Sequence, residues 1–263
     1  MIENKTKSIG ILGCGWLGTP VAEHFINKGF AVVGSTTRNQ KLNELSQKGI
    51  NPVLVNIDEE NNDFSELFKV DYLLINIPSK NIEGFKSVVK QLEKSSVKKV
   101  IFVSSTSVYQ NTNDWVVEDN ESLLKPCALL TIENLFTNNK SFETTVIRFS
   151  GLTNEDRHPG RFFTNKPIAD SDAPVNMIVL EDCIELIDKV IEGEVWNQIF
   201  NGCGDEHIAK KEYYTSAKKD LNLPLPEFNI KAEKDFKIVS NAKAKQILKH
   251  NFRSILFWEK QLK

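Results

Sequence analysis

The feature that most constrains the fold is a glycine-rich turn directly after the first apolar segment. It carries the spacing Gly13-x-Gly15-x-x-Gly18. The apolar residues 8–12 before it predict a short buried strand, and residues 17–28 after it carry an apolar stripe that is typical of a helix. Gly13 permits the tight turn, Gly15 lets backbone N–H groups approach a pyrophosphate, and Gly18 lets the helix pack close to the strand. The turn therefore predicts a dinucleotide site, and a purely structural turn is the alternative.

Short apolar segments alternate with amphipathic ones over the first 150 residues. Strands rich in Val and Ile without polar alternation are buried on both faces, which is typical of a parallel sheet covered by helices. The order predicts an α/β fold, a Rossmann-type doubly wound parallel sheet. The predicted strands are 8–12, 31–35, 52–57, 71–77, 99–104 and 144–149, and the predicted helices are 17–28, 40–48, 82–95 and 123–138.

The regular alternation stops near Gly151, where a polar, loop-like stretch begins. We expect residues 1–150 to form an NAD(P)-binding Rossmann domain. We expect residues 151–263 to form a smaller C-terminal substrate region that packs on the sheet and is interleaved with it rather than independent. Its predicted elements are strands at 175–180 and 198–201 and helices at 181–192, 210–221, 240–249 and 255–262. A crevice between this cap and the strand ends is the expected substrate site.

Composition argues against several classes of partner. The formal net charge of -2 over 263 residues argues against nucleic acid and against an anionic membrane surface. No apolar run is long enough to span a bilayer, and we expect no signal peptide, because the first predicted strand already begins at residue 8. The four cysteines have no CxxC spacing, so we expect reduced thiols and a cytoplasmic location. The four histidines are dispersed, so we expect no metal site.

Five segments, taken in order, resemble the extended or atypical short-chain dehydrogenase/reductases, which include nucleotide-sugar epimerases and dehydratases. With the loop Arg157-His-Pro-Gly-Arg161, they are most similar to an atypical NAD(P)-binding branch. The resemblance implies an oxidoreductase or epimerase-like protein that acts on a small polar substrate, with a sugar derivative as one candidate. The segments are the glycine turn, Val103 to Tyr109, Arg148 to Leu152, Pro174 to Asp182, and Phe200-Asn201.

The resemblance also implies a catalytic Ser or Thr, a Tyr and a Lys. Ser105 matches the Ser/Thr position, and the alternative is a strand-end serine that satisfies backbone groups. Thr106 beside it and the loop residues Arg157 and Arg161 are candidate substrate contacts, since guanidinium groups bind phosphate or carboxylate. A solvated polar loop is the other interpretation of the two arginines. For Arg148 we expect a structural ion pair rather than a substrate contact, because a buried unpaired guanidinium is costly.

The family's Tyr-x-x-x-Lys pair is missing from its expected helix. The chain has no tyrosine between Tyr109 and Tyr213. Aligning Glu133 with the family's usual Glu puts Lys125 at the Tyr position and Leu129 at the Lys position. Two functions therefore stay open: an NAD(P)-dependent enzyme with a substitute proton donor, and a non-catalytic NAD(P)-binding protein that senses redox state or regulates a partner.

The second strand predicts which dinucleotide binds. NAD-specific sites place an Asp or Glu about 20 residues beyond the glycines, whereas this strand ends in Arg38 with no carboxylate before Glu44. Arg38 can pair with the 2′-phosphate of NADP, so we expect NADP to be preferred over NAD; the alternative is a solvated cation. The predicted cofactor-binding residues are Gly13, Cys14, Gly15, Trp16, Leu17, Gly18, Thr36, Arg38, Asp58, Ile77, Pro78 and Ser104.

A homodimer is the remaining expectation from the resemblance. In the family, the helices that match 82–95 and 123–138 often pair with their copies in a second subunit. Here these helices carry a surplus of apolar side chains, some of which must face the sheet. They are Val88, Val89, Leu92, Leu129, Leu130, Leu135 and Phe136.

Overall fold

The structure is a computed structural model that describes residues 6–59, 62–163, 166–229 and 235–262. The helices are α1 (Gly18–Asn27), α2 (Gln40–Gln47), α3 (Ile82–Leu92), α4 (Ala128–Thr137), α5 (Leu180–Glu192), α6 (Lys210–Asp220) and α7 (Ala242–Leu248). The strands are β1 (Ser8–Leu12), β2 (Ala31–Thr36), β3 (Asn51–Leu54), β4 (Tyr72–Ile75), β5 (Lys99–Ser105), β6 (Trp115–Val116), β7 (Glu143–Phe149), β8 (Gly151–Thr153), β9 (Ile168–Ala169), β10 (Met177–Val179), β11 (Ile199–Gly202), β12 (Phe228–Asn229) and β13 (Ile238–Val239).

Seven of these strands form one sheet in the order β11-β7-β5-β4-β1-β2-β3. The pairs β1–β2, β1–β4, β2–β3 and β4–β5 are parallel. The chain builds outwards from β1 to β3, returns to β4 on the other side of β1, and continues outwards from there. This reversal beside β1 is the topological switch point of a doubly wound sheet, next to which ligands bind. The predicted α/β Rossmann-type fold is confirmed.

The chain forms two compact units, each assembled from separate stretches. The first unit comprises Met1–Ser104, Pro126–Ile147 and Ile187–Ile199, and the second comprises Ser105–Lys125, Arg148–Leu186 and Phe200–Lys263. The functional division that the sequence predicts, at residue 150, stays a prediction.

Each unit has its own apolar core. In the first unit the rings of Phe85, Phe102 and Phe136 lie within 6.1 Å of one another, centroid to centroid, and are almost completely buried. In the second unit Tyr213 packs on Trp258 at 5.4 Å, and both are buried. Among the described residues, no helix combines the length and apolar character that a membrane crossing requires.

Some predicted boundaries are wrong. The helix predicted over 123–138 begins at Ala128, because a proline at 126 disfavours helical backbone at the residue before it. Glu121–Leu123 instead form a separate 3₁₀ turn. The strand predicted over 175–180 is shorter, and it pairs with β8 in a two-stranded sheet outside the main one. The segment predicted over 255–262 is a 3₁₀ helix, Phe257–Leu262.

Candidate functional site

The glycine turn links the end of β1 to the neighbouring strand. The backbone N–H of Gly13 donates to the hydroxyl oxygen of Ser35 at 2.9 Å, and the N–H of Cys14 donates to the Ser35 carbonyl at 2.8 Å. Gly13 has φ +109°, a conformation that favours glycine. A Cβ atom there would also lie 2.5 Å from the carbonyl oxygen of Asn76. The turn therefore requires glycine at this position.

The other two glycines of the turn differ in what surrounds them. A Cβ on Gly18 would collide with the carbonyl oxygen of Gly13, so this glycine lets α1 pack against the turn. A Cβ on Gly15 would meet no atom within 4 Å. α1 also begins without a side-chain cap. The open face at Gly15 and the uncapped helix fit a bound pyrophosphate, because helix N-termini present N–H groups and a positive dipole to anions.

The cysteine within the turn is a packing residue. Cys14 is buried, and burial raises the pKa of its thiol to about 12. Its sulfur occupies the space that a side chain on Gly34 of β2 would need. A protonated thiol is a poor nucleophile. Of the other predicted turn residues, Leu17 is buried and Trp16 is half-buried.

A cavity of about 280 Å³ lies in the first unit, at the carboxyl ends of its strands. Three predicted cofactor residues line it: Asp58, Ile77 and Pro78. Asp58 accepts a hydrogen bond from the Asn81 side-chain amide at 2.9 Å. The remaining lining residues are Leu12, Thr37, Val55, Asn56, Ile57 and Ser79. An apolar lining with one exposed carboxylate suits a flat heterocycle with hydrogen-bond donors.

Two cations lie beyond the end of β2. The backbone N–H of Arg38 donates to the Thr36 hydroxyl at 3.2 Å, and the Arg38 side chain is exposed. The Lys41 ammonium donates to the carbonyl oxygen of Cys14 at 2.8 Å, which brings its charge to the glycine turn. Lys41 was not among the cofactor-binding residues predicted from the sequence. Its position three residues after Arg38, at the start of a helix, was the available signal.

At the end of β5, the Ser104 hydroxyl is already hydrogen-bonded within the protein. Its hydroxyl donates to the carboxylate of Glu133 on α4, and both residues are buried. The position that the family alignment gave to Glu133 therefore corresponds to a buried contact with the strand end. A cofactor role for Ser104 stays a prediction.

The second unit contains a cavity of about 430 Å³ that holds the predicted residues Ser105 and Thr106. The Ser105 hydroxyl oxygen accepts the backbone N–H of Ser107 at 3.1 Å and so caps a short 3₁₀ turn. This contact matches the alternative role of a strand-end serine. It leaves the hydroxyl hydrogen of Ser105 able to donate to a ligand, so a catalytic role stays a prediction.

The Tyr109 phenol is buried and fully hydrogen-bonded, so it is not placed to take part in catalysis. It is fully buried, its hydroxyl donates to Asn201 Oδ1 at 2.9 Å, and the same oxygen accepts Arg148 Nη1 at 2.9 Å. The Arg148 guanidinium also lies 5.1 Å from the centre of the Tyr109 ring. Burial raises the phenol pKa despite the neighbouring guanidinium. Tyr109 and Arg148 are therefore structural partners.

A phenol does line the second unit's cavity, but it comes from α6 and not from α4, where the family's catalytic Tyr is expected. Tyr214 lies on α6, is buried, and burial raises its pKa to about 12. Lys125, which the alignment placed at the Tyr position, precedes α4 and donates its backbone N–H to the Val108 carbonyl at 2.9 Å. Tyr214 is not recognisable as a site residue from the sequence, because only tertiary packing brings α6 to this cavity.

Arg157 and Arg161 lie outside the lining of that cavity. Arg161 Nη1 donates to the carbonyl oxygens of Glu155 at 3.4 Å and Asp156 at 3.1 Å, within its own loop. The Arg157 guanidinium lies 5.8 Å from the centre of the Phe162 ring. A substrate role for these arginines stays a prediction.

One group in the second unit has the residue types of a metal site. Asp182, Glu185 and His250 place ligand atoms within 4.8 Å of one another. The Arg253 guanidinium binds both carboxylates, and His250 Nε2 lies 3.2 Å from Asp182 Oδ1. Because the Arg253 guanidinium already faces both carboxylates, the group serves as an ion-pair cluster. Asp182 is thus a buried ion-pair partner as well as a first-turn residue of α5.

The comparisons with known proteins agree with this geometry. A family model described as NAD(P)H-binding matches residues 13–176. Protein YeeZ of Escherichia coli strain K12 is 30% identical over 237 residues, covering 84% of this chain and 86% of YeeZ.

Two solved structures share the fold at low sequence identity. A functionally unknown conserved protein from Silicibacter pomeroyi has a TM-score of 0.80 at 18% identity, covering 97% of this chain and 96% of that one. UDP-glucuronic acid 4-epimerase from Bacillus cereus, solved with UDP-glucuronic acid and NAD, has a TM-score of 0.76 at 17% identity, covering 97% and 100%. The chain has the fold of the short-chain dehydrogenase/reductases and NAD-dependent epimerases, and it belongs to the NAD(P)H-binding family.

Proposed function

We propose that this protein is an NADP(H)-dependent oxidoreductase or epimerase-like enzyme. In this proposal the first unit holds the dinucleotide and the cavity of the second unit holds a small polar substrate. The observation that carries the proposal is the open face at Gly15 in front of an uncapped helix. That arrangement is suited to a pyrophosphate, and apart from the adjacent residues no protein atom occupies the space in front of Gly15.

The first unit offers a place for each part of the dinucleotide. The turn and the start of α1 would hold the pyrophosphate through backbone N–H groups. The cavity lined by Asp58, Ile77 and Pro78 would hold the adenine, with the carboxylate accepting from its amino group. When bound, the nicotinamide supplies or accepts a hydride.

Arg38 and Lys41 support a preference for NADP. The exposed guanidinium follows β2, and the ammonium is held at the glycine turn by the Cys14 carbonyl. Two cations beside the adenosine ribose would pair with a 2′-phosphate dianion, whereas the ribose 2′-OH of NAD gains little from them.

Titration of both dinucleotides tests the proposal. We expect wild-type protein to bind NADPH more tightly than NADH. Arg38→Ala and Lys41→Met should each weaken NADPH binding by about 10-fold or more, the loss expected for a charge-assisted hydrogen bond, with a smaller effect on NADH. Lys48→Met is the matched control, because the Lys48 ammonium pairs with Glu23. Tighter NADH binding, or equal losses for both cofactors, would reject the NADP preference.

The substrate class is proposed from the second unit's cavity and the neighbours. UDP-glucuronic acid 4-epimerase was solved with a nucleotide sugar. The cavity here is lined by hydroxyl and amide groups, including Ser105, Thr106 and Asn111. Such groups hydrogen-bond a polyhydroxylated ligand. A sugar derivative is therefore the substrate class that we propose.

A non-catalytic redox sensor is the second candidate function. It is favoured by the missing Tyr-x-x-x-Lys pair and by the Tyr109 phenol, which is buried and hydrogen-bonded to Asn201 and Arg148. Incubation of excess sugar aldehydes and uronates with NADPH or NADP⁺ separates the two functions. Many turnovers per protein molecule support the enzyme, and cofactor binding without turnover supports the sensor.

A further inference from the structure

Two lysines line the cavity of the second unit. Lys237 precedes β13 and Lys210 begins α6. Neither was singled out from the sequence, because residues far apart in the chain meet here. The cavity, at about 430 Å³, is within the range of small-molecule sites, which run from about 300 to 1,000 Å³.

The Lys237 side chain is held in place by neutral acceptors. Its ammonium donates to the carbonyl oxygen of Tyr109 at 3.1 Å and to Asn111 Oδ1 at 3.3 Å. Its backbone is fixed as well. The Asn176 side-chain amide donates to the Lys237 carbonyl at 2.9 Å, and Asn176 Oδ1 accepts the N–H of Val239 at 2.8 Å. Two ammonium hydrogens are used by these acceptors, and an ammonium has three.

Among the described residues that line the cavity, the two lysines outnumber the one carboxylate. The Lys210 ammonium donates to another neutral acceptor, the Ala169 carbonyl, at 3.2 Å. Asp235 is the carboxylate in the described part of the lining, and it accepts a hydrogen bond from the Asn111 amide at 2.8 Å. Burial and the charge of Lys125 lower the pKa of Lys237, and Asp235 opposes them. The folded protein therefore holds a half-buried ammonium at a cost that a bound anion would relieve.

We propose that this cavity is an anion site, in which Lys237, supported by Lys210, binds the carboxylate or phosphate group of a small polyhydroxylated ligand. The hydroxyls of Ser105 and Thr106 would then bond the neutral hydroxyl groups of that ligand. The proposal rests on the proposed function in taking this cavity as the ligand site. It adds that the ligand is an anion and that Lys237 recognises it.

Calorimetric titration without dinucleotide, at pH 7 and low salt, tests the site with three probes that share one sugar skeleton. They are D-glucuronate, D-glucose 6-phosphate and D-glucose. We expect at least one anion to bind about 10-fold more tightly than glucose, the advantage of a charge-assisted hydrogen bond. The anion that binds identifies carboxylate or phosphate as the group recognised.

Variants assign the effect to a residue. Lys237→Met should weaken anion binding by about 10-fold, whereas Lys237→Arg should retain most of it. Lys211→Met removes an exposed neighbouring charge on α6 and should change nothing. NADPH titration of each variant shows that the first unit is intact.

Three results would overturn the anion site: no binding of any probe to wild type, equal affinity for glucose and both anions, or full anion affinity in Lys237→Met. Each can occur with NADPH binding intact, in which case the anion site fails and the dinucleotide proposal stands. If Lys237→Met does not fold, the relative affinities of the three probes for wild-type protein still show whether the cavity prefers an anion.

Discussion

At the scale of single residues, the glycine turn separates packing from ligand binding. Gly15→Val places a side chain in the open face, where no protein atom lies within 4 Å of the new Cβ. The fold should survive, and NADPH affinity should fall by about 100-fold through loss of two charge-assisted N–H contacts. Gly18→Ala is the contrasting variant, because its Cβ collides with the Gly13 carbonyl and should lower thermal stability. Calorimetry and melting curves distinguish the two. Unchanged NADPH affinity in a folded Gly15→Val protein would remove the site assignment.

Another prediction at this scale concerns His158 and pH. His158 is 3% exposed, and burial lowers its pKa below the ordinary value of 6.5, against the effect of Asp220. The unfolded chain therefore takes up the proton first as the pH falls. Stability from neutral His158 is full above pH 6.5 and declines as the pH drops through that value. Burial also lowers the pKa of His207, so its contribution to stability declines in the same direction as the pH falls.

Urea unfolding at pH 7.5 and pH 5.5 checks this prediction. His158→Asn keeps an acceptor for the Gly160 N–H, which His158 Nδ1 accepts at 3.1 Å in the wild type. The variant should be less stable at both pH values, because it loses ring contacts with Phe257 and Trp258. It should, however, lose less stability than wild type between the two pH values. An identical loss in both proteins would show that His158 does not titrate on unfolding.

At the scale of elements, the sequence predicted what local periodicity determines. The buried strands at 8–12 and 31–35 and the helices around them were recognisable, because strands covered on both faces lack polar alternation. The pairing of β8 with β10 and of β9 with β12 joins distant segments. Such short strands carry no periodic signal of their own, so the stretch after Gly151 was expected to be a loop.

The residues of the candidate site show the same difference between features that are encoded locally and features that depend on tertiary packing. The roles of the glycines follow from backbone sterics, which a motif encodes locally. Lys237, Lys210 and Tyr214 come together in one cavity only through tertiary packing. Charge and loop position make Arg157 and Arg161 candidate substrate contacts, and the structure gives them contacts within their own loop.

The start of α4 provides a test at the element scale. Cys127 is its N-cap residue, with extended backbone and without a side-chain cap. Cys127→Ser supplies a hydroxyl oxygen for the unbonded N–H groups of the first turn, so it should stabilise the protein by about 0.5–1 kcal/mol. Cys127→Ala, which removes the thiol without adding an acceptor, should give no such gain. Chemical denaturation of the three proteins measures the difference, and equal stability of the Ser and Ala variants would contradict the capping argument.

At the scale of the whole molecule, the apolar residues that suggested a dimer have another use. Val88, Leu92 and Phe136 are buried in the first unit's core. Leu129 and Leu135 pack against that core. Little of the apparent surplus on α3 and α4 thus requires a second subunit. The homodimer stays a prediction, and sedimentation at micromolar concentration measures it.

Cofactor binding should be visible in the stability of the molecule as a whole. A ligand that binds only the folded state stabilises it by about 2.7 kcal/mol at 100 times its dissociation constant. For a chain of this size that corresponds to a rise of about 5–10 °C in Tm. NADPH should therefore raise Tm more than NADH at equal concentration, because Arg38 and Lys41 favour the 2′-phosphate.

Arg38→Ala should reduce this difference while it leaves the Tm of the free protein nearly unchanged, since its side chain is exposed. Equal shifts with both cofactors would show that these cations do not recognise the 2′-phosphate, and no shift with either would contradict dinucleotide binding itself.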